Sequence, residues 1–168
     1  ATYQILEMNS LQDAYIRPLV FCPANMSLQK ATSSSIMIAV WDWAAYLGEK
    51  LLRVSLSPYQ RPNPKGFMIQ AKVGGHYVNS IIACQEAKDR GYDEALLLDM
   101  NDFVAEGPGA NVFYEKNGKL FTPALGNILA GITRATVIEL AGELNIPVTE
   151  KQITMEELRD ADAVFYCG

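Results

Sequence analysis

Two short stretches decide how this chain reads: Gln70-Ala71-Lys72-Val73-Gly74-Gly75-His76-Tyr77 and Ala105-Glu106-Gly107-Pro108-Gly109-Ala110-Asn111-Val112-Phe113. The first sets a lysine among small residues just ahead of a helical pattern. The second sets a carboxylate on a glycine-flanked turn and leads into Lys116-Asn117-Gly118-Lys119, the strongest short turn signal in the chain. Glycines beside a reactive side chain let backbone approach a ligand closely, although they equally suit a plain turn.

Working outward from these stretches, the spacing predicts a helix over 74–90. Its apolar stripe is Tyr77, Ile81 and Cys84 with Val78 and Ile82, and Gly91 supplies a stop. A short apolar strand follows over 95–99, then a turn at 100–102, then a hairpin of strands 111–115 and 119–122. Ile132 to Leu144 reads as a helix with Val137, Leu140, Ala141 and Leu144 on one stripe. Thr154-Met155-Glu156-Glu157 fits a capping box for a final short helix. On the N-terminal side, 5–11 reads as the end of a helix. Residues 14–21 read as a strand that Pro18 confines to an edge or a bend. A polar loop over 23–34 precedes a strand over 35–43, with Ile36, Ile38 and Val40 on one face. Ala44 to Lys50 reads as a connector, 54–57 as a short strand, and 58–66, with three prolines, as an extended loop. The mixture of strands and helices predicts an α+β fold.

Composition narrows the function. With 168 residues, 49% of them hydrophobic and 20% charged, the chain can bury one real core. A net charge of −5 argues against a nucleic-acid partner, which would select a basic face. No apolar run approaches a membrane span, and the first residues show no signal-peptide pattern. Cys22, Cys84 and Cys167 are odd in number and widely spaced, so buried thiols in a reducing, cytoplasmic setting are expected. With one histidine, a metal site is not expected.

A lysine and an acid in this arrangement are what pyridoxal phosphate chemistry requires. The lysine forms an imine with the cofactor aldehyde and later moves a proton. The acid favours the protonated ring nitrogen, so that the ring accepts electrons. Taken alone, Lys72 could be a surface lysine and Glu106 an exposed turn residue. Tyr77 could be a core tyrosine with a satisfied hydroxyl, and Trp43 ordinary core.

These stretches, together with Tyr15-Ile16-Arg17-Pro18-Leu19-Val20-Phe21, Thr122 and the run Leu129 to Arg134, resemble the class IV aminotransferases, in the same motif order and almost end to end. Within that class the branched-chain amino acid aminotransferases are the best match. Pro108, where a small residue is usual, and His76, where an asparagine is common, depart from the pattern. The resemblance implies fold type IV, similar to D-amino acid aminotransferase, with residues 1–47 a remnant of a small N-terminal domain and connector. Residues 48–168 would then be an incomplete large cofactor-binding domain. Family members are nearly twice this long, and truncation at both ends is expected. A phosphate-holding arginine would lie upstream, and a Gly-Thr loop would follow Gly168.

Carried over residue by residue, the resemblance makes Lys72 the Schiff-base lysine, Tyr77 the partner of the cofactor's phenolic oxygen and Glu106 the ring-nitrogen acid. Leu129 would pack on the ring face, Ile132 and Thr133 would hold the phosphate at a helix start, and Asn111 would brace the Glu106 turn. The helix start suits a dianion, although Thr133 is also a good cap. Tyr15 and Trp43 would line an apolar substrate pocket, and Arg17 would read the side-chain carboxylate of glutamate. The implied reaction is amino transfer between leucine, isoleucine or valine and 2-oxoglutarate, in a homodimer whose partner subunit closes the pocket. D-amino acid aminotransferase and aminodeoxychorismate lyase share the lysine and the acid, and an inactive fragment is a further alternative. Tyr15-Ile16-Arg17-Pro18 favours the branched-chain reading.

Overall fold

The structure, a computed structural model, describes residues 1–43 and 50–168. The expected connector therefore lies, but for Lys50, outside the described residues. The described chain divides into two compact units, Ala1–Leu51 and Leu52–Gly168.

In the first unit, helix α1 (Thr2–Met8) starts and stops earlier than the apolar pattern suggests. Asn9 Nδ2 donates to the Ile5 carbonyl at 2.8 Å and Ser10 adopts a left-handed φ of 55°, which turns the chain out before Leu11. Strand β1 (Tyr15–Phe21) pairs antiparallel with β2 (Ser35–Trp41), Tyr15 opposite Trp41 and Phe21 opposite Ser35. Pro18 is tolerated because a two-stranded ribbon offers positions with no ladder bond to lose. Strand β2 ends at Trp41 rather than Trp43, and its burial grows toward that end.

The second unit carries a seven-stranded mixed sheet. Strand β3 (Val54–Leu56) leads through a single 3-10 turn (Gly74–His76) and helix α2 (Tyr77–Asp89) to β4 (Glu94–Leu98), which lies parallel to β3. Strands β5 (Val104–Glu106), β6 (Asn111–Lys116) and β7 (Lys119–Pro123) continue antiparallel. Helix α3 (Ile132–Glu143) then crosses over to β8 (Val148–Lys151), parallel to β7. Parallel neighbours need such a crossover, and both crossovers here are helical. After helix α4 (Met155–Arg159), strand β9 (Ala163–Cys167) returns antiparallel to β6 along its length. The sequence reading missed β5, β8 and β9: β5 has three residues, and β8 is the largely polar Val-Thr-Glu-Lys.

The turns follow from their residues. Asn117 and Gly118 have φ of 52° and 72°, the pair of left-handed conformations a tight hairpin needs. Helix α2 ends with Gly91 at φ 82°, its N–H bonded to the Lys88 carbonyl and that of Tyr92 to the Ala87 carbonyl. Thr154 and Glu157 form both halves of the capping box on α4.

The core joins Leu96, Val104, Val112, Tyr114, Ile153 and Leu158, with Phe121 stacked on Tyr114 at 4.7 Å. The buried faces of two helices differ from the expected stripes. Helix α2 buries Ser80, Ala83 and Ala87, while Val78 and Ile81 are 60% and 65% exposed. Ala83 and Ala87 pack with Ala95 and Leu97 of β4, where close approach of helix to sheet selects small side chains. Helix α3 buries Arg134 and Ala141 and leaves Leu140 and Leu144 exposed. Arg134 is paired, donating to the Pro123 carbonyl at 2.9 Å and to Glu150 at 2.5 Å.

Thr154→Ala removes the hydroxyl that accepts the Glu157 amide. It should lower stability by about 1 kcal/mol, read as a shifted urea midpoint with an unchanged slope.

Candidate active site

Glu106 ends β5, is 4% exposed, and three neighbours reach its carboxylate. Asn111 Nδ2 donates to Oε2 at 2.8 Å, and the Leu129 amide stands 3.2 Å from both oxygens. Arg61 Nε lies 2.8 Å from Oε1 without the alignment of a hydrogen bond, so that contact is an ion pair. Lys72 acts at longer range. Burial pushes the Glu106 carboxyl up to about 7; the Arg61 charge, the Leu129 amide, Lys72 and Arg134 pull the other way and only partly offset it.

The turn after Glu106 closes with Gly107 N–H donating to the Ala110 carbonyl at 2.8 Å. A side chain at Gly107 would meet the Tyr166 ring at 3.0 Å, so this glycine answers to packing on β9. Asn111, expected to brace this turn, also donates to the Leu129 carbonyl at 3.0 Å. Its side chain therefore ties the acid to the segment that opens α3. Gly131 completes the joint: a Cβ there would stand 2.1 Å from Asn111 Oδ1.

Lys72, Tyr77, Glu106, Leu129, Ile132 and Thr133 all line one cavity of about 440 Å³ in the second unit. Lys72 is exposed, on a loop pinned by buried Ile69, with Nζ 5.6 Å from the centre of the Tyr77 ring. Side chains added at Gly74 or Gly75 would meet no described atom within 4 Å, so both glycines border open space. His76 sits edge-on to Phe67 at 5.6 Å. Helix α3 is capped by Gly131, not Thr133, which falls inside the first turn. Gly131 offers those first amides no side-chain acceptor, which leaves the helix start suited to an anion.

Tyr15, Arg17 and Trp43 lie in the first unit. Tyr15 stands 5.1 Å from Trp41 and 5.0 Å from Trp43, centre to centre, and the Arg17 guanidinium lies 5.1 Å from the Tyr15 ring. Trp43 is 48% exposed and so is not core, and Trp41, given no role from sequence, completes the cluster. Arg61 was missed altogether. An arginine between Gln60 and Pro62 in a proline-rich loop reads as solvated, and no local signal marks it as buried.

The family model for amino-transferase class IV matches residues 1–168, and the chain belongs to that family. A branched-chain-amino-acid aminotransferase of Pseudomonas aeruginosa is 40% identical over 174 residues, covering all of this chain and 57% of the relative. The crystal structure of a branched-chain aminotransferase from Thermoproteus uzoniensis with norvaline superposes with a TM-score of 0.96 at 39% identity, over 99% of this chain and 58% of that one. The branched-chain amino acid aminotransferase of Thermobaculum terrenum in its PLP form gives 0.91 at 34% identity, over 99% and 56%. The fold is thus the α+β fold-type IV arrangement, and the chain spans a little over half the length of these relatives.

Gly131→Ala should displace the Asn111 side chain and cost about 1–3 kcal/mol. Gly142→Ala, in the same helix and with open space around it, should instead stabilise by about 0.5–1 kcal/mol. Paired urea unfolding curves check both signs.

Proposed function

We propose that this protein is a pyridoxal-phosphate-dependent aminotransferase that exchanges amino groups between branched-chain L-amino acids and 2-oxoglutarate. The observation that carries the reading is the convergence of Lys72, Glu106 and the start of α3 on one cavity. The residues fit the cofactor: an amine for its aldehyde, a buried acid for its ring nitrogen and a helix start for its phosphate. Once bound, pyridoxal phosphate supplies a conjugated ring that takes up the electrons left when a substrate α-proton departs.

Lys72 would hold the cofactor through its aldehyde and, once free, would carry the proton taken from the substrate α-carbon. Glu106 holds a proton on the ring nitrogen by charge pairing. Tyr77 bonds the phenolic oxygen, Leu129 covers a ring face, and the amides at Ile132 and Thr133 receive the phosphate. Tyr15 and Trp43 offer an apolar wall to leucine, isoleucine or valine, and Arg17 offers its planar fork to the side-chain carboxylate of glutamate. The names of the relatives and the Tyr15-Ile16-Arg17-Pro18 segment support the branched-chain substrates over other chemistries of the class. The exposed apolar face of α2 supports a homodimer, and three free thiols suit the cytoplasm.

With pyridoxal phosphate added, the wild-type protein should show an imine absorbance that L-leucine removes. Lys72→Ala should lose both that band and transfer to 2-oxoglutarate while melting normally, since Lys72 is exposed. Turnover of leucine by this variant at the wild-type rate would overturn the proposal.

Arg17→Leu should raise KM for glutamate by about one to two decades and leave leucine nearly unaffected, the loss of one charge-assisted contact worth roughly 1.5–3 kcal/mol. Steady-state kinetics with each amino donor separate the two effects, and equal losses would make Arg17 scaffolding.

A further inference from the structure

We infer that Arg61 is a positioning residue for the proposed reaction, a buried cation whose task is to keep Glu106 ionised on the cavity wall. Its backbone N–H donates to the Leu98 carbonyl at 2.8 Å, which fixes the loop at the end of β4, and its side chain is 8% exposed. A guanidinium so far from water is stable only beside an anion, and the one at hand is Glu106 at 2.8 Å.

The other donors to Glu106 are neutral amides, of Asn111 and Leu129. Two further cations act on it, and neither can serve as a fixed counter-charge. Arg134 of α3 is committed to Pro123 and Glu150. Lys72, on the loop before α2, changes partners during the proposed reaction. His76, Tyr77 and Cys167 are the remaining titratable groups on the cavity wall. Arg61 alone, among the described residues, combines contact, burial and permanent charge.

The geometry also shows how it could act without blocking the site. Arg61 Nε–H is not aimed at Oε1, so the carboxylate keeps acceptor capacity for a second donor arriving from the cavity. Burial drives Glu106 toward its neutral form, which cannot pair with a protonated ring. With a carboxyl already near half-protonated at neutral pH, loss of the adjacent charge would leave the acid mostly neutral.

The test is a carboxyl titration of the protein without cofactor, carbon-13 labelled at glutamate, with the Glu106 resonance assigned by its loss in Glu106→Gln. Arg61→Met should raise the Glu106 midpoint by about 1–3 pH units, and Arg61→Lys, which keeps a charge but not the fork, should fall between. Equal midpoints in wild type and Arg61→Met would overturn the inference and leave Arg61 a packing residue. Should Arg61→Met not fold, Arg61→Met/Glu106→Gln decides. Removal of both buried charges should restore a cooperative unfolding transition at pH 8, and failure to do so would show that Arg61 holds something other than Glu106. The inference rests on the proposed chemistry for its purpose alone. A wild-type protein that takes up no pyridoxal phosphate would undo that chemistry, while the titration stands or falls separately.

Discussion

Glu106 carries its carboxylate to the end of a strand where little water reaches it, and three separate stretches of chain come to meet it. Asn111 arrives across the turn, Leu129 from the segment before α3, and Arg61 from the loop after β3. Each contact offsets part of the cost of burying a charge, and each also fixes a piece of backbone that is otherwise irregular. The balance is not complete. Burial outweighs the donors, so the acid ends above its ordinary range. Because its folded value is raised, this group favours the folded state at acid pH, and that contribution is lost as pH rises through about 7. A cation beside the carboxylate acts against that loss, because it favours the ionised form.

The regular parts of the fold were legible because their signals are local. Asn117-Gly118 demanded a hairpin, Gly91 a helix stop, and Thr154 with Glu157 a helix start, and each lies where the residue chemistry puts it. Helix faces were less legible. Counting large apolar residues along α2 picked Tyr77, Ile81 and Cys84, yet the helix buries only the narrow ridge of Ser80, Ala83 and Ala87. Which face is buried depends on the distance to β4, and nothing within the helix records that distance. Strands β8 and β9 were invisible for a related reason, since each is held by a partner about thirty to fifty residues away in sequence.

The site divides along the same line. Lys72 and Glu106 stood out through their glycine-rich settings, and the resemblance to the class supplied Tyr77, Leu129, Ile132 and Thr133. The structure brings these six to one cavity. Arg61 went unseen because its burial comes from strands that flank it in space only. Gly131 falls in the run Leu129 to Arg134 that carries the resemblance, but its need to be glycine comes from Asn111, twenty residues earlier.

The contact between α2 and the sheet has a mechanical consequence. Ala83 and Ala87 meet Ala95 and Leu97, so this joint is made mostly of methyl groups, which have no rotamers to exchange. A layer spacing set by methyls cannot loosen by side-chain repacking, so α2 is held through Ala83 and Ala87 at a nearly fixed height. The loop just before it carries Lys72 on a four-carbon stem exposed to open space. Frame and arm therefore differ in compliance: the frame is stiff, and the displacements open to Lys72 are those of one long side chain.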